Sequence, residues 1–203
     1  LFDKLVESLP FKPTNAQSKA IAEIFKDLRA SYPMHRLLQG DVGSGKTLVA
    51  IAALLSVVEG GKQGSIMAPT EVLAEQHFVS VKELLSNFVL SDSSNLLGER
   101  KLNISLLTSQ TSDKDAKEIR AKLGRGEIDI IVGTHSLIQE SVEFADIGLA
   151  VVDEQHRFGV DQRAALQNKG NSKAIPDLLV MTATPIPRTA AMTVYGDLDV
   201  SIL

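Results

Sequence analysis

The sequence comprises 203 residues, of which 44% are hydrophobic, enough apolar material for one globular domain with a sizeable core. Because 21 Lys and Arg residues stand against 25 Asp and Glu, the formal charge of −4 excludes a protein whose whole surface attracts nucleic acid. The absence of cysteine excludes disulfides, zinc–thiolate centres and thiol catalysis.

The chain ends and the hydropathy bear on where the protein resides. The first residue is Leu1 rather than Met and the last is Leu203, so we expect a segment of a longer polypeptide. No apolar stretch is long and uncharged enough to cross a bilayer, and the N-terminus lacks the basic start and apolar core of a secretion signal. We therefore expect a soluble, intracellular protein with no membrane partner.

Two helices are predicted before the first strand. Residues 1–13 are assigned to a short helix and a proline-bounded linker, and residues 14–203 to the main domain. Thr14 or Asn15 is the candidate N-cap of the second helix, which has apolar residues at helical spacing: Ala20, Ile21, Ile24, Phe25 and Leu28. Gln17 lies in its first turn. The side-chain amide can pair with an adenine edge, although an exposed helical glutamine is the commoner case.

A phosphate-binding loop is predicted at Gly40-Asp41-Val42-Gly43-Ser44-Gly45-Lys46-Thr47, which matches G-x-x-x-x-G-K-[ST]. A short apolar strand (36–39) precedes it, and an apolar run (48–58) long enough for a buried helix follows it. A strand that leads through such a loop into a helix directs backbone N–H groups and the positive helix end at one anion. We expect this loop to bind the triphosphate of a nucleotide, with Lys46 at the β and γ phosphates and the Thr47 hydroxyl on Mg²⁺.

Strands and helices alternate through the rest of the chain. Strands are predicted at 64–68, 104–108, 128–132, 149–152 and 178–181, and helices at 71–85, 113–123 and 161–167. Helix 71–85 has a predicted apolar stripe of Val72, Leu73, His77 or Phe78, Val81, Leu84 and Leu85. Residues 86–103 are interpreted as a surface loop without an assigned function. The pattern predicts an α/β fold, a doubly wound, mostly parallel sheet with helices on both faces and ligands at the carboxyl ends of its strands.

Two carboxylates, Asp153 and Glu154, directly follow the predicted strand 149–152, as in a Walker B motif. We expect Asp153 to hold Mg²⁺ opposite Thr47, directly or through water. Glu154 is expected to orient and deprotonate the water that attacks the γ phosphate. Adjacent carboxylates at a strand end are usually only solvated, so the P-loop upstream is what favours the metal site.

Hydroxyl-bearing residues follow the other strands. Thr182 and Thr184 either hydrogen-bond the segment 153–156 and sense the γ phosphate, or simply cap the strand end. The remaining strand ends offer hydroxyls and free N–H groups that suit a phosphate backbone, at Pro69, Thr70, Thr108, Ser109, Gly133, Thr134 and His135. With no Trp and 4% aromatic residues, a platform for stacking bases is not expected. Any bound DNA would be held by its backbone.

Several segments together resemble the first motor lobe of the RecG family, bacterial ATP-dependent DNA helicases of superfamily two. The resemblance extends from about residue 9 to the end of the chain, and its motifs are residues 38–47, 68–71, 133–135, 153–160 and 181–189. The transcription-repair coupling factor shares the Arg-Phe-Gly and Thr-Ala-Thr-Pro-Ile-Pro-Arg strings. Gln155-His156 and residues 195–199 are more similar to RecG.

The resemblance implies roles that the residues alone leave open. It implies a RecA-like lobe whose ATP hydrolysis depends on Lys46, Asp153, Glu154 and His156. Gln17 would contact the adenine base. The residues that would couple the nucleotide state to a second lobe are Gln155, His156, Thr182 and Thr184. Arg188 would contact DNA or that lobe, or else be a solvated side chain.

The family also has a wedge domain before this lobe and a second lobe after it, and neither is present in these residues. A second lobe supplies an arginine worth about 10³–10⁵ in hydrolysis, so the isolated lobe should turn over ATP poorly. The resemblance implies a monomer in the bacterial cytoplasm that uses ATP and Mg²⁺ to remodel stalled forks and other duplex or branched DNA in recombination and repair. The alternatives are a coupling-factor motor that pushes RNA polymerase and a nucleotide-dependent binding switch without motor activity.

Overall fold

The computed structural model describes residues 2–9, 12–91, 98–139, 141–153, 175–184 and 198–203. The helices are α1 (Phe2–Ser8), α2 (Asn15–Asp27), α3 (Lys46–Glu59), α4 (Glu71–Leu85) and α5 (Asp113–Gly124), with a 3-10 helix at His135–Ile138. The strands are β1 (His35–Gln39), β2 (Gln63–Met67), β3 (Val89–Ser91), β4 (Glu99–Lys101), β5 (Ile104–Leu107), β6 (Ile130–Gly133), β7 (Ile147–Asp153), β8 (Asp177–Thr182) and β9 (Asp199–Ile202). The predicted helix 161–167 lies outside the described residues.

Seven strands within the described part of the chain form one sheet, in the order β5-β6-β2-β7-β8-β1-β9. All of its neighbouring pairs run parallel, as predicted. Strand β1, which leads into the P-loop, lies between β8 and β9, and β7 follows on the far side of β8. Because parallel strands end at the same edge, the P-loop, Asp153 and Thr182 share one edge of the sheet.

The sheet is buried on both faces because alternate side chains of each strand enter two separate apolar clusters. In β7, Leu149 and Val151 join the cluster formed with α2, α3 and α4. Ala150 and Val152 join the second cluster, which includes Ala116 and Leu123 of α5 and the fully buried Phe144. Helices therefore cover both faces, which confirms the predicted doubly wound α/β fold.

Helix α3 is apolar around almost its whole circumference, since its buried positions run from Leu48 to Leu55 without interruption. It lies between the sheet and the helices α1 and α2. Leu5 of α1 is fully buried in the same cluster, so the N-terminal helix packs onto the core of the main domain. No helix in the described stretches combines the length and the apolar character needed to cross a bilayer.

The prediction of an unstructured loop at residues 86–103 is wrong in part, because β3 and β4 pair there as an antiparallel hairpin. Arg100 in β4 anchors the hairpin to the sheet through two guanidinium N–H groups, which donate to the Asp129 carboxylate at 2.6 and 2.7 Å. Asp129 also accepts from the Asn103 N–H at 2.8 Å, so one buried carboxylate fixes the path of the chain into β5. Three-residue strands are too short to show a period in the sequence.

Two further differences concern single elements. Strand β9 was not predicted, because it has four residues at the edge of the sheet and only Ser201 is buried. Val72 was placed in the apolar stripe of α4 but is 64% exposed. The buried positions of α4 are Ala74, His77, Val81 and Leu85. The helix itself spans Glu71–Leu85, as predicted.

Candidate nucleotide site

The P-loop connects β1 to α3 through backbone conformations that favour glycine. Gly43 and Gly45 have φ angles of 81° and 84°, in the left-handed region that is strained for residues with a Cβ. Helix α3 begins at Lys46, and its N-cap Gly45 has no side chain to cap the first turn. The N–H groups of that turn are therefore oriented towards the loop, where a bound anion would accept their hydrogen bonds.

The interior of this loop is occupied by the ammonium group of Lys46. Its Nζ donates to the carbonyl oxygens of Gly40 at 2.7 Å and Asp41 at 2.9 Å. The Ser44 hydroxyl is buried and has no hydrogen-bond partner among the described residues. A cation and an unpaired hydroxyl beside the first turn of α3, which has no capping side chain, suit a polyphosphate, so the residues present fit ATP.

Strand β8 brings the predicted coupling threonines next to the P-loop. The Gly40 N–H donates to the Thr182 carbonyl at 3.2 Å, directly where β1 becomes the loop. The hydroxyls of Thr182 and Thr184 lie 2.9 Å apart, and the Thr184 N–H donates to the Thr182 hydroxyl at 3.2 Å. The local turn accounts for these contacts, so strand-end capping is present. A coupling role for the two threonines stays a prediction.

Asp153 is the last residue of β7 and is 8% exposed. Its strand is two positions from β1 in the sheet, so the backbones of Asp153 and the P-loop are separated by about 10 Å. A hydroxyl in the first turn of α3 (Thr47) and the Asp153 carboxylate supply the oxygen ligands that Mg²⁺ prefers. These residues fit a magnesium ion bound to nucleotide.

A second residue at Asp153 was missed by sequence reasoning. His77 of α4 is buried, and its Nε2 lies 2.5 Å from Oδ2 of Asp153. The sequence analysis placed His77, or its neighbour Phe78, in an apolar stripe. The only available signal was a polar residue at a buried helical position, which does not identify a partner 76 residues away.

Gln17 contacts the P-loop, so its interpretation as an exposed helical residue is wrong. It is 7% exposed, and its Nε2 donates to the Ser44 carbonyl at 2.7 Å. Its Oε1 accepts from the Thr14 N–H at 2.9 Å, while the Thr14 hydroxyl accepts from the Gln17 N–H at 3.2 Å. This reciprocal pair is a capping box, which confirms Thr14 as the N-cap of α2. The adenine contact stays a prediction.

Two substitutions at Gln17 separate helix capping from nucleotide binding. Gln17→Glu keeps an oxygen for the Thr14 N–H but sets a carboxylate against the Ser44 carbonyl, whereas Gln17→Ala removes both contacts. We expect Gln17→Ala to lower the free energy of unfolding by about 1 kcal/mol through the lost cap, and Gln17→Glu to lower it less. Both should weaken binding of a fluorescent ATP analogue by about fivefold, since each loses the hydrogen bond to the P-loop and one net hydrogen bond is worth about 1 kcal/mol. Unchanged binding by both variants would exclude Gln17 from the site.

The strand ends predicted to contact DNA lie on the other side of β7, at the ends of β2, β5 and β6. The Ala68 N–H donates to the Gly133 carbonyl at 2.9 Å, which joins the ends of β2 and β6. Pro69 is half-buried, and Thr70 is exposed and caps α4, its hydroxyl accepting from the Leu73 N–H at 3.3 Å. The structure thus brings these predicted residues to one edge: Pro69, Thr70, Thr108, Gly133, Thr134 and His135.

The N–H groups at the end of β5 are not free, contrary to the sequence analysis. The Thr108 N–H donates to the Thr111 hydroxyl at 3.0 Å, and the Ser109 N–H donates to the Glu71 carboxylate at 3.2 Å. The Ser109 hydroxyl and the Gln110 amide also donate to Glu71. Hydrogen bonds from Ser109 and Gln110 lower the pKa of the Glu71 carboxyl.

Four predicted site residues lie outside the described part of the chain. They are Glu154, Gln155, His156 and Arg188. Their roles in hydrolysis and coupling therefore stay predictions from the sequence.

Comparisons with known proteins agree with this geometry. The DEAD/DEAH box helicase family matches residues 14–193. The ATP-dependent DNA helicase RecG of Bacillus subtilis is 51% identical over 200 residues, which cover 98% of this chain and 27% of that protein. RecG of Synechocystis is 52% identical over 201 residues, which cover 99% of this chain and 22% of that protein. The chain thus spans about a quarter of the length of these relatives.

Among solved structures, one of RecG bound to a three-way DNA junction superposes on this chain with a TM-score of 0.82. The two are 45% identical, and the match covers 98% of this chain and 25% of that one. The family match includes the P-loop, Asp153 and every predicted strand-end residue. The chain therefore belongs to the DEAD/DEAH box helicase family, and its resemblance to RecG is confirmed.

Proposed function

We propose that the chain is the first motor lobe of a RecG-type helicase that uses ATP and Mg²⁺ to move along duplex DNA. The full polypeptide would remodel stalled replication forks and branched junctions in recombination and repair, as a monomer in the bacterial cytoplasm. One observation carries the proposal. A P-loop with two glycines at positive φ surrounds the Lys46 ammonium, and the buried Asp153 carboxylate lies at the same edge of the sheet.

The residues of this lobe would act in a fixed arrangement. Lys46 exchanges its two loop carbonyls for phosphate oxygens, and the N–H groups at the start of α3 donate to the same phosphates. Thr47 and Asp153 would hold a magnesium ion, which would supply neutralising charge for the phosphates of ATP. Glu154 accepts the proton of the attacking water.

Binding of DNA would occur beside this site rather than within it. The ends of β2, β5 and β6 are adjacent in the sheet, and β2 borders β7, which ends in Asp153. Thr70 and Ser109 are exposed at this edge, and Pro69 and Thr134 are half-buried, which suits contacts to phosphates and sugars that position DNA without reading its sequence. The three-way junction in the solved RecG structure supports branched DNA as the ligand.

The test is ATP hydrolysis by the full-length protein with a three-way junction, with linear duplex of equal length, and with RNA polymerase. We expect the junction to raise turnover at least about tenfold over linear duplex, with no requirement for polymerase. Stimulation that depends on polymerase would favour a coupling-factor motor instead. The 203-residue chain alone should hydrolyse ATP slowly, because the arginine expected from a second lobe is worth about 10³–10⁵. If the chain alone hydrolysed ATP as fast as the full-length protein, the proposal that a second lobe completes the site would be contradicted.

A further inference from the structure

The contact between His77 and Asp153 joins a helix to the end of the strand that carries the predicted metal ligand. The side chains of His77 and Asp153 are 11% and 10% exposed, and the distance from Nε2 to Oδ2 is 2.5 Å. An ionised carboxylate can only accept hydrogen bonds, so a metal-binding Asp153 requires the hydrogen on Nε2 of His77. The contact engages a single oxygen of the carboxylate, Oδ2.

The position of the His77 ring is set by rigid surroundings. His77 lies in the middle of α4, and the buried residues Ala74 and Val81 fix the same helical face one turn to either side. Helix α4 packs against β2, β5 and β6, the three strands on the far side of Asp153 from the P-loop. An imidazole held in this way restricts the rotamer of its carboxylate partner.

We propose that His77 is a positioning residue for the nucleotide-bound magnesium ion. It donates through Nε2 to Oδ2 of Asp153 and thereby fixes the orientation of the carboxylate that, together with Thr47, would hold the ion. This inference rests on the proposed ATPase function. It assigns a role to a side chain that belongs neither to the P-loop nor to the two carboxylates Asp153 and Glu154. Hydrogen-bond partners of metal ligands orient those ligands, and their loss costs about 10–100-fold in metal affinity.

The alternative is a purely structural histidine, which satisfies a buried carboxylate and nothing more. The two roles differ in what the magnesium concentration does to nucleotide binding. A positioning role affects only the part of the affinity that the ion supplies. A structural role changes nucleotide binding equally with and without the ion, or does not change it.

The experiment measures the affinity of a fluorescent ATP analogue for the 203-residue chain at a series of Mg²⁺ concentrations and in EDTA. Mg²⁺ should increase the affinity for the analogue, and the Mg²⁺ concentration that gives half of this increase can be measured for each variant. We expect this concentration to be about 10–100-fold higher for His77→Ala. The affinity in EDTA should stay within about twofold of the unmodified chain, since the P-loop is unaltered. Gln76→Ala is the matched control, because Gln76 is the exposed neighbour on the same helix.

A pair of amide variants keeps the test decisive if His77→Ala unfolds. The amide nitrogen of Gln reaches about as far as Nε2 of His and keeps the donor, whereas that of Asn is one methylene shorter. We expect His77→Gln to keep the Mg²⁺ dependence within about threefold of the unmodified chain and His77→Asn to shift it by about 10–100-fold. The same Mg²⁺ dependence in all variants, or an equal loss of affinity with and without Mg²⁺, would overturn the inference. If the unmodified chain binds no ATP analogue with Mg²⁺, the proposed function itself fails.

Discussion

Replacement of Lys46 by Ala is expected to reduce ATP affinity by at least about 100-fold. The Nζ group that lies 2.7 and 2.9 Å from two loop carbonyls would donate to phosphate oxygens instead, and hydrogen bonds to charged groups are worth about 1.5–3 kcal/mol each. Two such bonds correspond to a factor of about 10²–10⁴. The measurement is a titration with a fluorescent ATP analogue in the presence of Mg²⁺.

This variant should keep its fold, because the side-chain hydrogen bonds of Lys46 go to the P-loop and not to the core. The thermal unfolding midpoint should therefore stay close to that of the unmodified chain. Lys114→Ala is the matched control, since Lys114 is exposed on α5, on the opposite face of the sheet from α3. If Lys46→Ala binds ATP as well as this control, the P-loop is not the nucleotide site.

Replacement of Glu154 by Gln is expected to abolish ATP turnover while leaving ATP binding intact. The amide has the shape of the carboxylate but cannot take the proton of the attacking water, and positioned general bases contribute about 10²–10⁴ to the rate. Steady-state hydrolysis with junction DNA should fall by that factor in the full-length protein. The affinity for the ATP analogue should stay within about threefold.

Hydrolysis by the full-length protein also distinguishes a motor from a nucleotide-dependent switch. If full-length protein with an intact Glu154 shows no DNA-stimulated hydrolysis, the motor proposal fails and a nucleotide-dependent binding switch remains. If Glu154→Gln keeps normal turnover, another residue acts as the base. Asp153→Asn then becomes the informative comparison, since it removes charge from the metal ligand and not from the expected base.

The sequence predicted the elements that carry a long, uniform signal. Helix α4 begins and ends where the pattern placed it, because a capping threonine, Thr70, precedes an apolar period that persists for four turns. The P-loop was predicted from residue types that its backbone geometry requires, namely glycines at positive φ. The parallel sheet followed from strands that are apolar on both faces.

The parts that escaped prediction depend on partners far away in the chain. Strand β9 exists as a strand because Arg36–Gln39 of β1 pairs with it, and nothing in its four residues shows that. The pattern placed His77 or Phe78 in an apolar stripe and favoured an exposed Gln17, because the groups that His77 and Gln17 contact lie 76 and 27 residues away. Periodicity predicts which face of a helix is buried, but not which polar atom of another element that face contacts.

The placement of β1 has a consequence for synthesis of the protein on the ribosome. Both strands that flank β1 come from much later in the sequence, and the Met34 N–H donates to the Asp177 carboxylate across 143 residues. The nucleotide-binding loop therefore leaves the exit tunnel long before the strands that hold it in place. Helix α3 packs against β2 and β7, so part of its apolar surface stays uncovered until β7 has emerged, and chaperones that bind exposed apolar segments have a window in which to act.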